Sequence, residues 1–188
     1  MESLRFKDSD NEIVEGLGIP FGKDLYGETF SKSTNFALDW YPADRPLLYH
    51  HGLDPDVGVD ALGHVKSIRE IDAGLWIETQ LNKRHAYYRA VAKLISMKAL
   101  GFSSGAPPHL VRKDDAGLIT TWPVLEFSLT PAPANPNAKV SSFKSFCDDV
   151  GLDLETLKSA DAPPPSKKRD DSDLIWKMRN QLEVLGAY

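Results

Sequence analysis

Residues 63–81 read GHVKSIREIDAGLWIETQL and contain two β-strand patterns in succession. The first pattern runs from His64 to Ile71 and the second from Gly74 to Leu81, with only Asp72-Ala73 between them. In the second segment, apolar residues recur at every other position, as in a strand with one buried face. So short a connection between two strands is typical of a hairpin. The stretch therefore predicts an antiparallel β-hairpin.

Three further segments predict strands before and after this hairpin. Glu12 to Phe21 mixes β-branched residues with two glycines, which favours a strand that bends or lets another backbone approach closely. Leu47 to His51 is a short apolar run that ends at Gly52, so we expect a buried strand that carries two histidines to its end. Ile119 to Thr130 is rich in β-forming residues, and its interior proline predicts an edge position or a bulge.

Helical patterns lie between and after these strands. From Arg84 to Leu100, apolar residues recur every three or four positions, with Asn82 as the expected N-cap and Gly101 as the expected stop. Further helical patterns occupy roughly 143–158 and 173–188. Five or so short strands with flanking helices predict an α+β fold with a mainly antiparallel sheet.

The chain is expected to consist of one folded domain and a tail. The domain covers residues 1–160 and is followed by a Pro-rich, exposed linker at 161–172. Residues 173–188 then form a short amphipathic helix, which needs a partner surface because an isolated helix of this length is marginal in water.

Charge and composition limit the classes of partner. The 188 residues include 22 Lys and Arg against 27 Asp and Glu, so the net charge of −5 offers no positive field for a nucleic acid. No stretch approaches the roughly 18 apolar residues of a membrane span, and we expect no membrane association. Cys147 is the single cysteine and cannot form an intrachain disulfide, which favours a reducing, intracellular compartment.

A metal site is not expected, although four potential ligands are close in sequence. His50 and His51 are adjacent, so their side chains diverge on a strand, and no HExxH or Cys/His spacing accompanies Asp54 and Asp56. The sequence predicts no metal and no other cofactor.

Three residues could together support nucleophilic catalysis. A serine hydroxyl becomes a good nucleophile when an imidazole takes its proton, and an acid must orient that imidazole. Ser103 in a glycine-containing turn, His51 at a strand end and Glu126 in a later strand supply these groups. Gly105 could let the backbone turn so that amide groups face a developing oxyanion. By composition and spacing alone, a turn serine and a packed histidine account for these residues better than a catalytic triad does.

Five motifs in order make the chain resemble the prohead, or capsid maturation, proteases of tailed bacteriophages. This family of serine peptidases has a fold related to herpesvirus assemblin. The motifs span about Glu12 to Ala138 and read EGLGIPFG, LLYHHG, GHVKSIREIDAGLWIETQL, ALGFSSG and LEFSLTPAPANPNA.

The resemblance implies a barrel-like sheet, a protease domain at 1–160 and a defined set of roles. Ser103 would be the nucleophile, His51 the base and Glu126 the third member, with the amides of Ser104 and Gly105 as the oxyanion hole. Substrates would be capsid and scaffolding proteins, and the enzyme would also cut itself, with the 161–172 linker as a suitable site. It would act inside the assembling prohead in the bacterial cytoplasm, and analogy with assemblin allows a homodimer.

Alternatives remain for each assignment. His50 could serve as the base in place of His51, and Ser104 is a second candidate nucleophile, although neighbours on a strand face opposite sides. Glu126 lies between apolar residues and could face solvent, and assemblin uses a second histidine in the third role. A different class of function is a non-enzymatic scaffolding or assembly module that retains the protease fold.

Overall fold

The hairpin expected at residues 63–81 lies at the centre of a seven-stranded sheet. The structure is a computed structural model that describes residues 4–7, 12–24, 27–40, 44–131 and 153. Its elements are β1 (Arg5–Phe6), β2 (Ile13–Pro20), β3 (Gly22–Lys23), β4 (Thr29–Phe30), β5 (Pro46–Tyr49), β6 (Gly63–Ile71), β7 (Gly74–Leu81), α1 (Tyr88–Ser96), β8 (Gly101–Gly105), β9 (Arg112–Lys113), β10 (Ile119–Thr121) and β11 (Glu126–Thr130).

The order of strands in the large sheet is β1-β2-β7-β6-β5-β11-β8. Neighbours are antiparallel except β5 and β11, which run parallel. Two small sheets, β3-β4 and β9-β10, complete the described strands. The strands expected from Glu12 to Phe21 and across the hairpin are confirmed with nearly the predicted ends.

The seven-stranded sheet is nearly closed into a barrel. Strands β2 and β8 are not hydrogen-bonded neighbours, yet a methyl group added at Gly16 of β2 would lie 3.3 Å from the Phe102 ring of β8. The missing side chain therefore lets β8, at one end of the sheet, approach β2, which is next to the last strand at the other end. The mainly antiparallel, barrel-like sheet expected from the sequence is confirmed.

Apolar side chains from the long strands and from α1 pack together in one hydrophobic core. Burying each of them stabilises the fold by roughly 1.5–3 kcal/mol relative to exposure. The most deeply buried include Val14, Leu47, Ile77, Leu94, Phe127 and Leu129.

The expected flanking helices are not confirmed, because the described residues are mostly β-structure with one α-helix. That helix is shorter than the predicted range of Arg84 to Leu100. At its start, Asn82 accepts hydrogen bonds from the backbone of Arg84 and His85 and so forms a turn rather than an N-cap. At its end, Lys98 adopts a left-handed conformation (φ 58°), and Gly101 already belongs to β8. No helix in the described ranges has the length and apolarity that a membrane span requires.

The strand predicted from Ile119 to Thr130 is in fact two strands in different sheets. Residues 122–125 separate β10 from β11, and Pro123 lies in this interval. A proline lacks the N–H that a continuous ladder needs, which explains the break. β11 is nevertheless an interior strand, with β5 on one side and β8 on the other.

Some of the predictions lie outside the described residues. They are the helices at 143–158 and 173–188, the linker at 161–172 and the environment of Cys147.

His85 is a buried titratable group next to the start of α1. Its ring is 5% exposed, and Nδ1 accepts a hydrogen bond from the backbone N–H of Tyr87 at 3.1 Å. An accepting Nδ1 requires the neutral ring. Burial lowers the pKa of His85 from its ordinary value of 6.5, and the nearby Asp60 carboxylate opposes this effect.

We expect Ile77→Ala to lower the free energy of unfolding by about 2–5 kcal/mol, because it leaves a cavity in the barrel. Ile77 is 0% exposed in the middle of β7. Equilibrium urea denaturation measures the change. Leu53→Ala is the matched control, since Leu53 is 69% exposed and should change stability by less than about 0.5 kcal/mol. Equal losses in the two variants would contradict this description of the core.

We also expect the stability of the protein to fall as the pH drops below 6.5, in part through His85. Because the pKa of folded His85 is lowered, the unfolded chain takes up a proton first, and this favours unfolding. His85→Asn should flatten the dependence by up to about 1.4 kcal/mol per pH unit. Urea denaturation of both proteins at several pH values between 5 and 7.5 measures the difference. If the stabilities of the two proteins changed with pH in parallel, burial would not lower the pKa of His85.

Candidate active site

The two histidines lie in a strained turn directly after β5. His50, His51 and Gly52 have φ values of 44°, 58° and 71°, all in the left-handed region. This conformation costs a residue other than glycine roughly 1–2 kcal/mol. The turn brings the chain back over β11, so the histidines follow the strand rather than forming its last residues.

Strand β11 is buried on both faces, and the two faces differ in chemistry. Phe127 and Leu129 point into the apolar core. Glu126, Ser128 and Thr130 alternate with them and contact the histidine turn instead. A polar face can be buried here because the turn supplies hydrogen-bond partners for it.

The three predicted catalytic side chains form a continuous hydrogen-bonded chain. His51 Nδ1 is 2.7 Å from Glu126 Oε1, and His51 Nε2 is 3.0 Å from Ser103 Oγ. An ionised carboxylate only accepts hydrogen bonds, so Nδ1 carries the proton and Nε2 is free to accept the hydroxyl proton of Ser103. This is the tautomer that a general base needs.

Glu126 is buried rather than solvent-facing. It is 7% exposed, and its second oxygen, Oε2, accepts a hydrogen bond from Ser128 Oγ at 2.6 Å. Both carboxylate oxygens are therefore held, and the orientation of the acid toward His51 is fixed.

Ser103 lies on strand β8, not in a turn as predicted. In the antiparallel register it pairs with Ser128, and Gly105 pairs with Glu126. Directly opposed residues project on the same face, so Ser103 emerges on the polar face of β11. The regular strand thus sets the position of the hydroxyl.

Gly105 serves a different purpose from the predicted one. It continues the strand, and a methyl group at this position would lie only 2.1 Å from Glu126 Oε1. Glycine is needed because the carboxylate occupies the space of a side chain. The role of the Ser104 and Gly105 amides as an oxyanion hole stays a prediction.

The geometry favours His51 and Ser103 over their neighbours. His50 Nδ1 lies 2.8 Å from Thr130 Oγ1, and Thr130 pairs with Gly101 rather than with Ser103. Ser104 Oγ accepts a hydrogen bond from Trp122 Nε1 at 3.2 Å. Each alternative residue is therefore engaged elsewhere.

The surroundings of His50 disfavour its charged form. Burial is the main cause that lowers the pKa of His50, and the neighbouring His51 adds to it, whereas Asp54 opposes it. The lowered pKa of His50 therefore disfavours a positive charge next to His51.

Sequence reasoning missed Ser128 and Thr130, which contact His51 and His50. The signal was present in residues 126–130, EFSLT, where polar and apolar residues alternate with period two. A strand with this pattern normally turns its polar side to water, so the pattern alone does not reveal that the polar face is buried.

The acidic residues after the histidines stabilise a loop. Asp54 Oδ1 accepts hydrogen bonds from the backbone N–H groups of Asp56 and Val57 at 2.8 and 3.0 Å. Among the described residues, no group of three or more His, Cys, Asp and Glu side chains could hold a metal ion.

The site is accessible from solvent at His51. The His51 side chain is 31% exposed, whereas Glu126 lies beneath it. A base that is accessible on one side and oriented by a buried acid on the other can transfer protons to and from a bound reactant.

Comparison with protein-family models, with curated proteins and with solved structures finds no match. The geometry of the site is therefore the basis on which a function is proposed below.

We expect Gly105→Ala to break the His51–Glu126 hydrogen bond, because the new methyl group and Oε1 cannot both fit. The clash should also lower the free energy of unfolding by about 1–3 kcal/mol. The low-field proton resonance of His51 Nδ1–H reports the bond. Ser104→Ala, on the same strand but facing Trp122, should retain the resonance. A variant Gly105→Ala with an unchanged resonance would contradict this account of the glycine.

Proposed function

We propose that this protein is a serine endopeptidase that processes capsid and scaffolding proteins of a tailed bacteriophage, and also itself, during prohead maturation. The observation that carries the enzymatic part is the chain of hydrogen bonds from Ser103 through His51 to Glu126, with distances of 3.0 and 2.7 Å. The choice of substrates rests on the resemblance of five motifs of this chain to the prohead proteases.

The first half of the reaction forms an acyl-enzyme. Ser103 Oγ attacks the scissile carbonyl carbon while its proton passes to His51 Nε2, and Glu126 stabilises the imidazolium that results. Successive N–H groups of a strand point to opposite sides, so one of the two predicted amides, that of Ser104 or that of Gly105, donates a hydrogen bond to the oxyanion. Such a donor is typically worth about 3 kcal/mol. As the tetrahedral intermediate collapses, the C–N bond breaks and the leaving amine takes the proton from Nε2.

The second half of the reaction restores the enzyme. A water molecule gives its proton to His51 Nε2 and attacks the acyl carbon on Ser103. The ester bond then breaks, the proton returns to Ser103 Oγ, and the new carboxylic acid leaves. His51 is thus base and acid in turn. In both steps its Nδ1 keeps its proton and donates a hydrogen bond to Glu126.

An accessible site suits a polypeptide substrate. The exposed side of His51 allows a chain segment to reach Ser103 without an enclosed pocket. We place the self-cleavage site in the 161–172 linker, whose prolines and charges favour an extended, accessible chain. The enzyme would act within the prohead in the host cytoplasm, as a monomer or a homodimer, and the 173–188 helix would dock on scaffold or on a second copy.

We expect Ser103→Ala to abolish processing while the protein still folds, because this serine contributes little to packing. The test is co-expression with the capsid and scaffolding proteins encoded in the same genome, followed by gel electrophoresis of the products. The loss should be at least about 10³-fold. Ser104→Ala is the matched control and should process normally, because alanine keeps the backbone N–H and the lost hydroxyl contacts Trp122 instead of His51.

A serine-directed fluorophosphonate adds a second measurement. Labelling of the wild type and Ser104→Ala, but not Ser103→Ala, would support the nucleophile. Processing that persists in Ser103→Ala would overturn the assignment. A wild type that neither processes these proteins nor takes up the probe would favour the non-enzymatic assembly module.

A further inference from the structure

Ser128 is a fully buried polar residue that touches both the base and the acid of the site. It is 0% exposed, in the middle of β11. Its Oγ lies 2.9 Å from the backbone nitrogen of His51 and 2.6 Å from Glu126 Oε2. A buried hydroxyl with two such partners is costly to replace, because either partner would be left unsatisfied.

The direction of both hydrogen bonds is determined by chemistry. A backbone N–H only donates, so Ser128 Oγ accepts from His51. The single hydroxyl proton of Ser128 is then available to the carboxylate of Glu126. One oxygen atom therefore connects the main chain of the base to the side chain of the acid.

The first bond restrains a strained residue. His51 has a φ of 58°, which an L-residue with a side chain rarely adopts. Such strain persists only where the surrounding structure holds it in place. The hydrogen bond from the His51 N–H to Ser128 Oγ holds the backbone of His51 in this conformation. It thereby fixes the direction in which the imidazole leaves the backbone.

The second bond restrains the carboxylate. Glu126 Oε1 accepts from His51, and rotation about the last side-chain bond would remove that contact. Because Ser128 also donates a hydrogen bond to Oε2, both oxygens are held and the carboxylate group cannot rotate freely.

Ser128 also lies directly opposite the proposed nucleophile in the sheet. It pairs with Ser103 across the β8–β11 ladder and with Leu48 across the β5–β11 ladder. The same residue thus relates the strand that carries the serine to the strand that leads into the histidine turn.

We propose that Ser128 is a positioning residue of this site, which holds left-handed His51 and the Glu126 carboxylate in line with Ser103 for proton transfer. It acts through these side chains and does not touch the substrate. The inference rests on the proposed peptidase function, and one arm of its test is independent of that function.

The test compares Ser128→Ala with Thr130→Val. Thr130 lies on the same face of β11 two residues further on and contacts His50 instead of His51, so it is a matched loss of a buried hydroxyl. The rate of labelling by a fluorophosphonate should fall about 10²-fold in Ser128→Ala, as expected for a displaced reacting group. It should change less than about threefold in Thr130→Val, a difference worth under about 0.7 kcal/mol.

The second arm is spectroscopic and needs no turnover. The low-field resonance of His51 Nδ1–H, identified by its loss in His51→Gln, should broaden or move upfield in Ser128→Ala and persist in Thr130→Val. If the wild type shows the resonance but neither labels nor processes, the peptidase proposal fails while the positioning role is still measured.

Ser128→Ala with the wild-type labelling rate and resonance, and only a lower melting temperature, would overturn the inference. If that variant does not fold, Ser128→Cys replaces it, since a thiol is a weak donor and acceptor of similar size. Ser128→Cys should weaken both signals, and wild-type values for both would likewise overturn the positioning role.

Discussion

Burial of a polar strand face is the constraint on which the site depends. Glu126, Ser128 and Thr130 of β11 are almost fully removed from water, and each must find a hydrogen-bond partner inside the protein. The turn at His50 and His51 supplies a partner for each of them, two through imidazole rings and one through a backbone N–H. The position of His51 over Ser103 follows from satisfying this face.

Two local costs accompany this arrangement. The left-handed turn strains two residues that have side chains, and the space occupied by the Glu126 carboxylate excludes any side chain at position 105. Strain of roughly 1–3 kcal/mol per residue is tolerated where the surrounding structure is rigid. The apolar core of the barrel, to which Phe127 and Leu129 of the same strand contribute, provides that rigidity.

The two faces of β11 connect the fold to the proposed chemistry. Its apolar face anchors the strand in the barrel, and its polar face holds an acid, a base and the hydroxyl of Ser128 in register with Ser103. A nearly closed β-barrel is compatible with many activities. The peptidase proposal therefore depends on this one hydrogen-bonded chain, and Ser128 is the residue that joins its parts.

Local pattern was sufficient for the hairpin and for the first long strand, because periodicity is a property of neighbouring residues. It offered His51, Ser103 and Glu126 only as candidates, and the resemblance to the prohead proteases selected them. Local pattern was not sufficient for the break at Pro123, the shortened helix, the strand position of Ser103 or the purpose of Gly105. These depend on contacts between residues far apart in the chain. His51 is separated from Ser103 by 52 positions and from Glu126 by 75, and only the pairing of β11 with β5 and β8 brings the three together.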